Sequence, residues 1–110
     1  MSTPEGKVLR SCLSYLTLRG IAHWRINVIG TPIPGGGFRP SGSKGIADII
    51  GVLPGGRALA VEVKSEAGRQ SEPQREFERK WTNAGGVYLI VRSAAELNAC
   101  LSRVRSTLTD

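Results

Sequence analysis

An acidic and a basic side chain stand one residue apart near the end of an apolar run, Ala58 to Lys64. The β-branched and apolar residues of this run, and the Pro-Gly-Gly turn before it, predict a β-strand. Because side chains alternate across a strand, Glu62 and Lys64 lie on the same face, about 6–7 Å apart along the backbone. Taken alone, they could form an ordinary solvated ion pair contributing ~0–1 kcal/mol.

A second carboxylate, Asp48, is embedded in the apolar run that precedes the turn, Gly45 to Leu53. In a hairpin centred near Gly55, Asp48 and Glu62 are equally distant from the turn, so they are predicted to lie opposite each other, roughly 5 Å apart. Two like charges at that distance destabilise a sheet unless a cation lies between them. Mg²⁺ takes carboxylate oxygens and keeps several waters. The pair therefore predicts a divalent-metal site.

The composition indicates a small basic protein. The chain has 110 residues, a formal net charge of +6 and a pI of about 10.0, which fits one domain spanning 1–110 and a polyanionic partner. Nucleic acid is the first candidate and an anionic membrane the second, although many small basic proteins bind neither. Cys12 and Cys100 lack metal-ligand spacing and are expected to be reduced core thiols. With no signal-peptide pattern and no apolar run near ~20 residues, we expect a cytoplasmic protein outside the membrane.

Several basic and hydroxyl side chains could contact phosphate. A glycine-rich loop, residues 30–45, carries Arg39, Ser43 and Lys44 and leads directly towards Asp48. We expect no regular structure in it, and long loops of this kind are commonly functional or disordered. Arg25 in the preceding strand and Arg69 after Lys64 are further candidates. A mobile linker and a solvated strand face remain the alternatives.

Two polar residues extend the apolar stripes of predicted helices. Glu5 lies one turn before Leu9, and Gln74 shares a helical face with Phe77 and Trp81. Each also fits a capping box at its helix start, Ser2-Thr3-Pro4-Glu5 and Ser71-Glu72-Pro73-Gln74. Either role, or both together, is compatible with the sequence.

The periodicity predicts an α/β fold with the element order α-β-β-β-α-β-α. A helix over 3–19 and a strand over 21–29 precede the hairpin. A helix over 71–83 provides the crossover to an apolar strand over 87–92, which we expect to be central in a mixed sheet. Ser93 and Glu96 then cap a C-terminal helix.

In this order, the segments resemble the PD-(D/E)xK nuclease superfamily, whose restriction-endonuclease-like αβββαβ core has a mixed sheet flanked by helices. The closer resemblance is to the VRR-NUC family, of the small stand-alone, phage-type kind, and it covers nearly the whole chain. It rests on Gly45-Ile46-Ala47-Asp48, Val61-Glu62-Val63-Lys64, Gln70-Ser71-Glu72-Pro73-Gln74, Gly85 to Val91, and Ser93 to Leu97. Ala47 departs from the proline that the family usually has before the aspartate.

The resemblance implies residue roles. Asp48 and Glu62 would bind Mg²⁺ or Mn²⁺ together with the backbone carbonyl of Val63. Lys64 would orient or deprotonate the attacking water, and Glu5 and Gln74 match accessory positions of the site. No small-molecule cofactor is implied.

The activity implied by the resemblance is metal-dependent endonuclease cleavage of DNA, with four-way (Holliday) junctions as the expected substrate and a homodimer as the expected assembly. The setting would be recombination or repair in a bacterial or phage-infected cell. A flap, fork or restriction-type nuclease is the alternative activity. A catalytically silent nucleic-acid-binding module with the same fold is the alternative from another class.

Overall fold

The computed structural model describes residues 3–26, 31–32, 34–36, 38–39 and 45–109. Three helices and six strands lie in these ranges, and the expected α/β order is confirmed. They are α1 (Pro4–Leu18), β1 (Ala22–Arg25), β2 (Thr31–Pro32), β3 (Phe38–Arg39), β4 (Ile49–Val52), β5 (Ala58–Val63), α2 (Glu72–Asn83), β6 (Val87–Val91) and α3 (Ala94–Thr109).

Four of the strands form a mixed sheet in the order β1-β4-β5-β6. β4 pairs with both β1 and β5 in antiparallel fashion, because the Pro54-Gly55-Gly56 turn reverses the chain between β4 and β5. β5 and β6 pair in parallel, which requires the crossover that α2 supplies. The predicted mixed sheet flanked by helices is therefore confirmed.

The hydrophobic core lies on one face of this sheet, under α1 and α3. Alternate residues of the strands, such as Ile49, Val61 and Val91, are fully buried there. Cys12 and Leu16 of α1 close the layer, together with Leu97 and Leu101 of α3. Cys12 is fully buried in this core, and burial raises the pKa of its thiol to about 11.

The opposite face of the sheet packs against α2. Phe77 of α2 contacts the ring of Tyr88 on β6, with ring centroids 6.1 Å apart. Trp81 stacks on Phe77 and donates its indole N–H to the carbonyl of Val87 at 2.9 Å. These contacts fix α2 over β5 and β6. Within the described residues, no helix is long and apolar enough to cross a membrane.

Three details differ from the sequence predictions. Thr31–Pro32 and Phe38–Arg39 pair as a two-residue ribbon inside the glycine-rich loop, where no regular structure was expected. β6 lies at an edge of the described sheet instead of its centre. Its residues are apolar because α2 and α3 cover its two faces. Thr3 instead of Ser2 caps α1, accepting the N–H of Gly6 at 2.9 Å.

Candidate active site

The hairpin brings Asp48 and Glu62 together in the predicted register. Ile49 pairs with Val61, and the same register carried one residue further places Asp48 opposite Glu62. Asp48 lies immediately before β4, and its Oδ2 accepts the backbone N–H of Val63 at 2.8 Å. This bond ties the Asp48 side chain to the strand that carries Glu62, so the acidic pair is held by both strands.

The backbone at Gly45, which leads into Asp48, packs closely against the first turn of α2. Gly45 has a φ of +83°, and a Cβ atom there would lie 2.2 Å from the carbonyl oxygen of Pro73. Only glycine has both the conformational freedom and the space for this approach. Ala47 is fully buried behind it. The backbone before Asp48 and the first turn of α2 are therefore in direct contact.

Gln74 connects the acidic pair to α2 through its amide group. Nε2 donates to Oε2 of Glu62 at 2.9 Å. Oε1 accepts from Nζ of Lys64 at 2.9 Å and from the backbone N–H of Ser71 at 2.8 Å. Ser71 in turn accepts the backbone N–H of Gln74, which completes the predicted capping box. Gln74 thus caps its helix and contacts the site with the same side chain.

Lys64 completes this group of side chains. Its Nζ lies 3.6 Å from Oε2 of Glu62, and both side chains are largely withdrawn from solvent. The pair is therefore not the solvated surface ion pair that the sequence alone allowed. Because Gln74 contacts both partners, the ammonium and the carboxylate are held in a fixed relation to each other.

Glu62 is the only charged residue among the buried ones in the described part of the chain, with 2% of its surface exposed. Burial and the neighbouring Asp48 carboxylate raise the pKa of Glu62 to about 8, although Lys64 opposes the shift. Its Oε1 is buried and has no hydrogen-bond partner among the described residues. Such an orphaned carboxylate oxygen costs free energy, and binding a cation there would remove that cost.

This donor set fits a hard divalent cation. Two carboxylates and a nearby backbone carbonyl offer oxygen ligands, which Mg²⁺ and Mn²⁺ accept. In the described ranges, no three His, Cys, Asp or Glu side chains cluster tightly enough to hold a metal by themselves. A metal bound to Asp48 and Glu62 would need further ligands, for which the Val63 carbonyl and water are the predicted sources.

Comparison with solved structures identifies a known architecture. One matching structure is described as a VRR_NUC domain; it superimposes with a TM-score of 0.68, and the match covers 92% of this chain and 97% of that chain. This chain has the fold of a VRR_NUC domain. The identity over the match is 20%, so the likeness establishes the fold. No protein-family model matches the sequence, and no curated protein does either.

Within this VRR_NUC fold, Glu5 does not form a three-acid metal-binding group with Asp48 and Glu62. It is exposed in the first turn of α1, and no described third acid joins Asp48 and Glu62 in a metal-binding cluster. Because Thr3 is the N-cap, Glu5 also misses the capping-box position by one residue. Its negative charge suits the helix N-terminus, and its accessory catalytic role stays a prediction.

The predicted DNA-binding residues fall in different parts of the fold. Arg25 is exposed at the end of β1, beside Ile26, whose N–H donates to the carbonyl of Asp48 at 2.8 Å. Arg69 is exposed in the loop between β5 and α2. The backbone of Arg39 pairs in the β2–β3 ribbon, while its side chain, Ser43 and Lys44 lie outside the described residues. All five DNA-contact assignments stay predictions.

The sequence analysis assigned no role to Tyr88 and Gln70, two residues near the acidic pair. Burial raises the pKa of Tyr88 to about 12, with Glu62, Glu78 and Asp48 adding to the rise and Gln70 opposing it. Gln70 Nε2 donates to the Tyr88 hydroxyl at 3.3 Å and to Oε1 of Glu78 at 3.0 Å. The sequence signal that could have identified Tyr88 is a single tyrosine in an otherwise aliphatic strand. Its position in the strand places it on the sheet face that carries Glu62.

The loop before α2 is held at both sides of Arg69. Arg92 donates to the carbonyl of Gly68 at 3.0 Å, and Arg75 donates to the carbonyl of Gln70 at 3.1 Å. These two bonds, with the side-chain bonds of Gln70, anchor the backbone from which Arg69 projects. Arg69 is therefore presented from a supported loop beside the site.

Proposed function

We propose that this protein is a metal-dependent endonuclease that hydrolyses DNA phosphodiester bonds, with four-way junctions as its substrate. The observation that carries the proposal is the buried group of Asp48, Glu62, Lys64 and Gln74, in which one oxygen of Glu62 has no described partner. The VRR_NUC fold supports the same class of activity, because the similar structure is described as a VRR_NUC domain, which is a nuclease-type domain.

Asp48, Glu62 and the Val63 carbonyl would hold Mg²⁺ or Mn²⁺. Bound there, the metal supplies Lewis-acid polarisation of the phosphoryl oxygen and a more acidic water. The side chains do the remaining work. As the ammonium, Lys64 would orient the attacking water and balance the phosphate charge; as the neutral amine, it would take the proton of the water at Nζ. Gln74 holds Lys64 and Glu62 in place through its two hydrogen bonds. The Val63 N–H keeps the Asp48 carboxylate aimed at the same point.

We further propose that the DNA substrate is branched and that the protein acts as a homodimer. The net charge of +6 supports binding to a polyanion. A two-fold dimer would present two equivalent sites to the two strands that must be cut at a four-way junction. The setting that follows is recombination or repair in a bacterial or phage-infected cell.

Cleavage of labelled substrates tests the proposal directly. Four-way junction, flap, fork and plain duplex of matched sequence are incubated with Mg²⁺, Mn²⁺ or EDTA, alongside Lys64→Ala. We expect paired incisions of the junction that require metal and are lost in Lys64→Ala. If the protein cleaves none of these substrates in a metal-dependent way, the enzyme assignment is overturned. A catalytically silent nucleic-acid-binding module is then favoured.

The same assay distinguishes among nucleases. Equal cutting of plain duplex would overturn structure specificity, and preferred cutting of flap or fork would replace the junction as the substrate. Sedimentation at the assay concentration tests the assembly. A monomer that still cuts both strands would exclude the paired-site geometry.

A further inference from the structure

Trp24 is an exposed aromatic side chain on the outer strand of the described sheet. Its side chain belongs to β1, and 59% of its surface is exposed. By contrast, Phe77 and Trp81 stack on each other on the side of α2 that faces the sheet. An indole combines a large apolar surface with one polar N–H, so an exposed indole can gain free energy when a binding partner covers it.

The strand pairing places Trp24 on the same sheet face as the acidic pair. Trp24 pairs with Ile50, and Ile50 pairs with Ala60. Directly paired residues share a face, and so do residues two apart along one strand. Ala60 therefore shares its face with Glu62, and Ile50 shares its face with Asp48. Trp24 lies diagonally across from Asp48, at a Cα separation of ~7–8 Å.

The surroundings of Trp24 fit a nucleic-acid strand. The Nζ atom of Lys64 lies 3.6 Å from Glu62 on this face of the sheet, and the chain as a whole carries a net charge of +6. If a metal held by Asp48 and Glu62 bound the scissile phosphate, the neighbouring nucleotide would lie over the same face of the sheet. Aromatic side chains on positively charged surfaces are common platforms on which unpaired bases stack.

We infer that Trp24 stacks on an unpaired base next to the scissile phosphate and so favours branched DNA over intact duplex. This inference rests on the proposed nuclease function. Bases inside a continuous duplex are stacked on both sides and offer no free ring face, whereas unpaired bases at a branch point do. The indole therefore selects DNA by base accessibility, independent of sequence.

Binding measurements with Ca²⁺ in place of Mg²⁺ test the inference, because Ca²⁺ accepts the same oxygen ligands. The probes are a four-way junction with unpaired bases at its centre and a linear duplex of the same sequence. Trp24→Ala is expected to weaken junction binding about 5- to 150-fold, the range measured for loss of one base-stacking contact. Duplex binding is expected to change far less, and Trp24→Phe is expected to retain most of the junction affinity.

Val52→Ala is the matched control, because Val52 is also exposed, at 42%, and its strand neighbours β1 on the same sheet. It pairs with Ala22, which shares its face with Trp24. Val52→Ala is expected to leave junction binding unchanged. Where Trp24→Ala fails to fold in a thermal melt, Trp24→Leu replaces it, since leucine keeps apolar surface without a ring face.

Two results would overturn the inference. Unchanged junction affinity in Trp24→Ala would exclude stacking. Equal losses in Trp24→Ala and Val52→Ala, with a fall in sedimenting mass, would assign the surface to self-association. The inference and the proposed function can fail separately. A wild-type protein that binds junctions through Trp24 but cuts no DNA contradicts only the nuclease assignment. Normal cleavage specificity in Trp24→Ala contradicts only the stacking role.

Discussion

Gln74 of α2 donates its amide N–H to the carboxylate of Glu62 on β5, with Nε2 2.9 Å from Oε2. A neutral donor can hydrogen-bond the ionised carboxylate without cancelling its charge, so a cation that displaces the Glu62 proton still meets the full negative charge. Because Oε1 of the same amide accepts from Ser71 and Lys64, the start of α2 and the candidate site form one hydrogen-bond network.

Gln74→Glu separates the capping role of this residue from its role in the site. Glutamate also completes a capping box, so the thermal stability of the variant should stay near that of the wild type. The new carboxylate cannot donate to Glu62 and repels it. We expect about a 10- to 100-fold loss of metal affinity or cleavage rate, as for other residues that orient metal ligands.

Gln74→Ala is the matched comparison, since it removes both roles. It should lose similar activity and, in addition, about 1 kcal/mol of unfolding free energy. Calorimetric metal titration and chemical denaturation measure the two quantities. Wild-type metal affinity in Gln74→Glu would show that the amide serves the helix alone.

The local pattern around the hairpin was sufficient to predict the acidic pair. Asp48 and Glu62 are equidistant from a Pro-Gly-Gly turn, and the apolar residues around them fix which face each strand buries. A shift by one residue would turn every buried side chain to solvent. The register that pairs Ile49 with Val61 therefore follows from sequence. The capping box at Ser71 and the cap at Ser93, whose Oγ accepts the N–H of Glu96, are equally local and were predicted for the same reason.

Long-range contacts were not predictable in the same way. A capping box is sufficient to explain Gln74, so the local sequence left its role in the site open, and only the family resemblance indicated that its side chain belongs to the site. The bond from the Val63 N–H to Asp48 depends on the exact end of β4. The position of β6 at an edge depends on which strand pairs with β5, and apolar composition alone cannot distinguish an edge strand covered by two helices from a central one.

Asp48→Asn tests whether the charge of Asp48 is needed beyond its hydrogen bond. Asparagine keeps a side-chain oxygen that accepts from the Val63 N–H, so folding stability should be close to wild type. The loss of one anionic ligand should abolish metal-dependent cleavage.

Asp48→Ala leaves the Val63 N–H without its partner and should cost a further ~1–3 kcal/mol of unfolding free energy. Urea denaturation and cleavage assays are compared across the two variants. Equal stability of both would show that the Asp48–Val63 bond contributes nothing to the fold.

The raised pKa of Glu62 makes the metal-free protein less stable at higher pH. Its ordinary pKa is 4.5 and its pKa in the folded chain is about 8. Between these values the folded chain holds a proton that the unfolded chain has released, so the unfolding free energy falls as pH rises, by at most about 1.4 kcal/mol per pH unit. Glu62→Gln should remove this contribution and be more stable than wild type near pH 8.

Denaturation series in EDTA measure this pH dependence. Subtracting the Glu62→Gln series from the wild-type series isolates the titration of Glu62 from that of every other group. The difference should grow from pH 4.5 towards pH 8 and then level off. A constant difference across that interval would mean that Glu62 is ionised in the folded protein throughout it.

Gly45→Ala tests the contact that joins the Asp48 segment to α2. The φ of +83° strains any other residue, and the added Cβ would also meet the Pro73 carbonyl oxygen at 2.2 Å. Gly20→Ala is the control, since Gly20 has a φ of +69° and no atom within 4 Å of the added Cβ. The control should lose about 1–2 kcal/mol of unfolding free energy from backbone strain alone, and Gly45→Ala should lose at least twice as much. Because the clash separates Asp48 from Gln74, cleavage should fall in Gly45→Ala and stay near wild type in Gly20→Ala; equal losses in both would refute the contact.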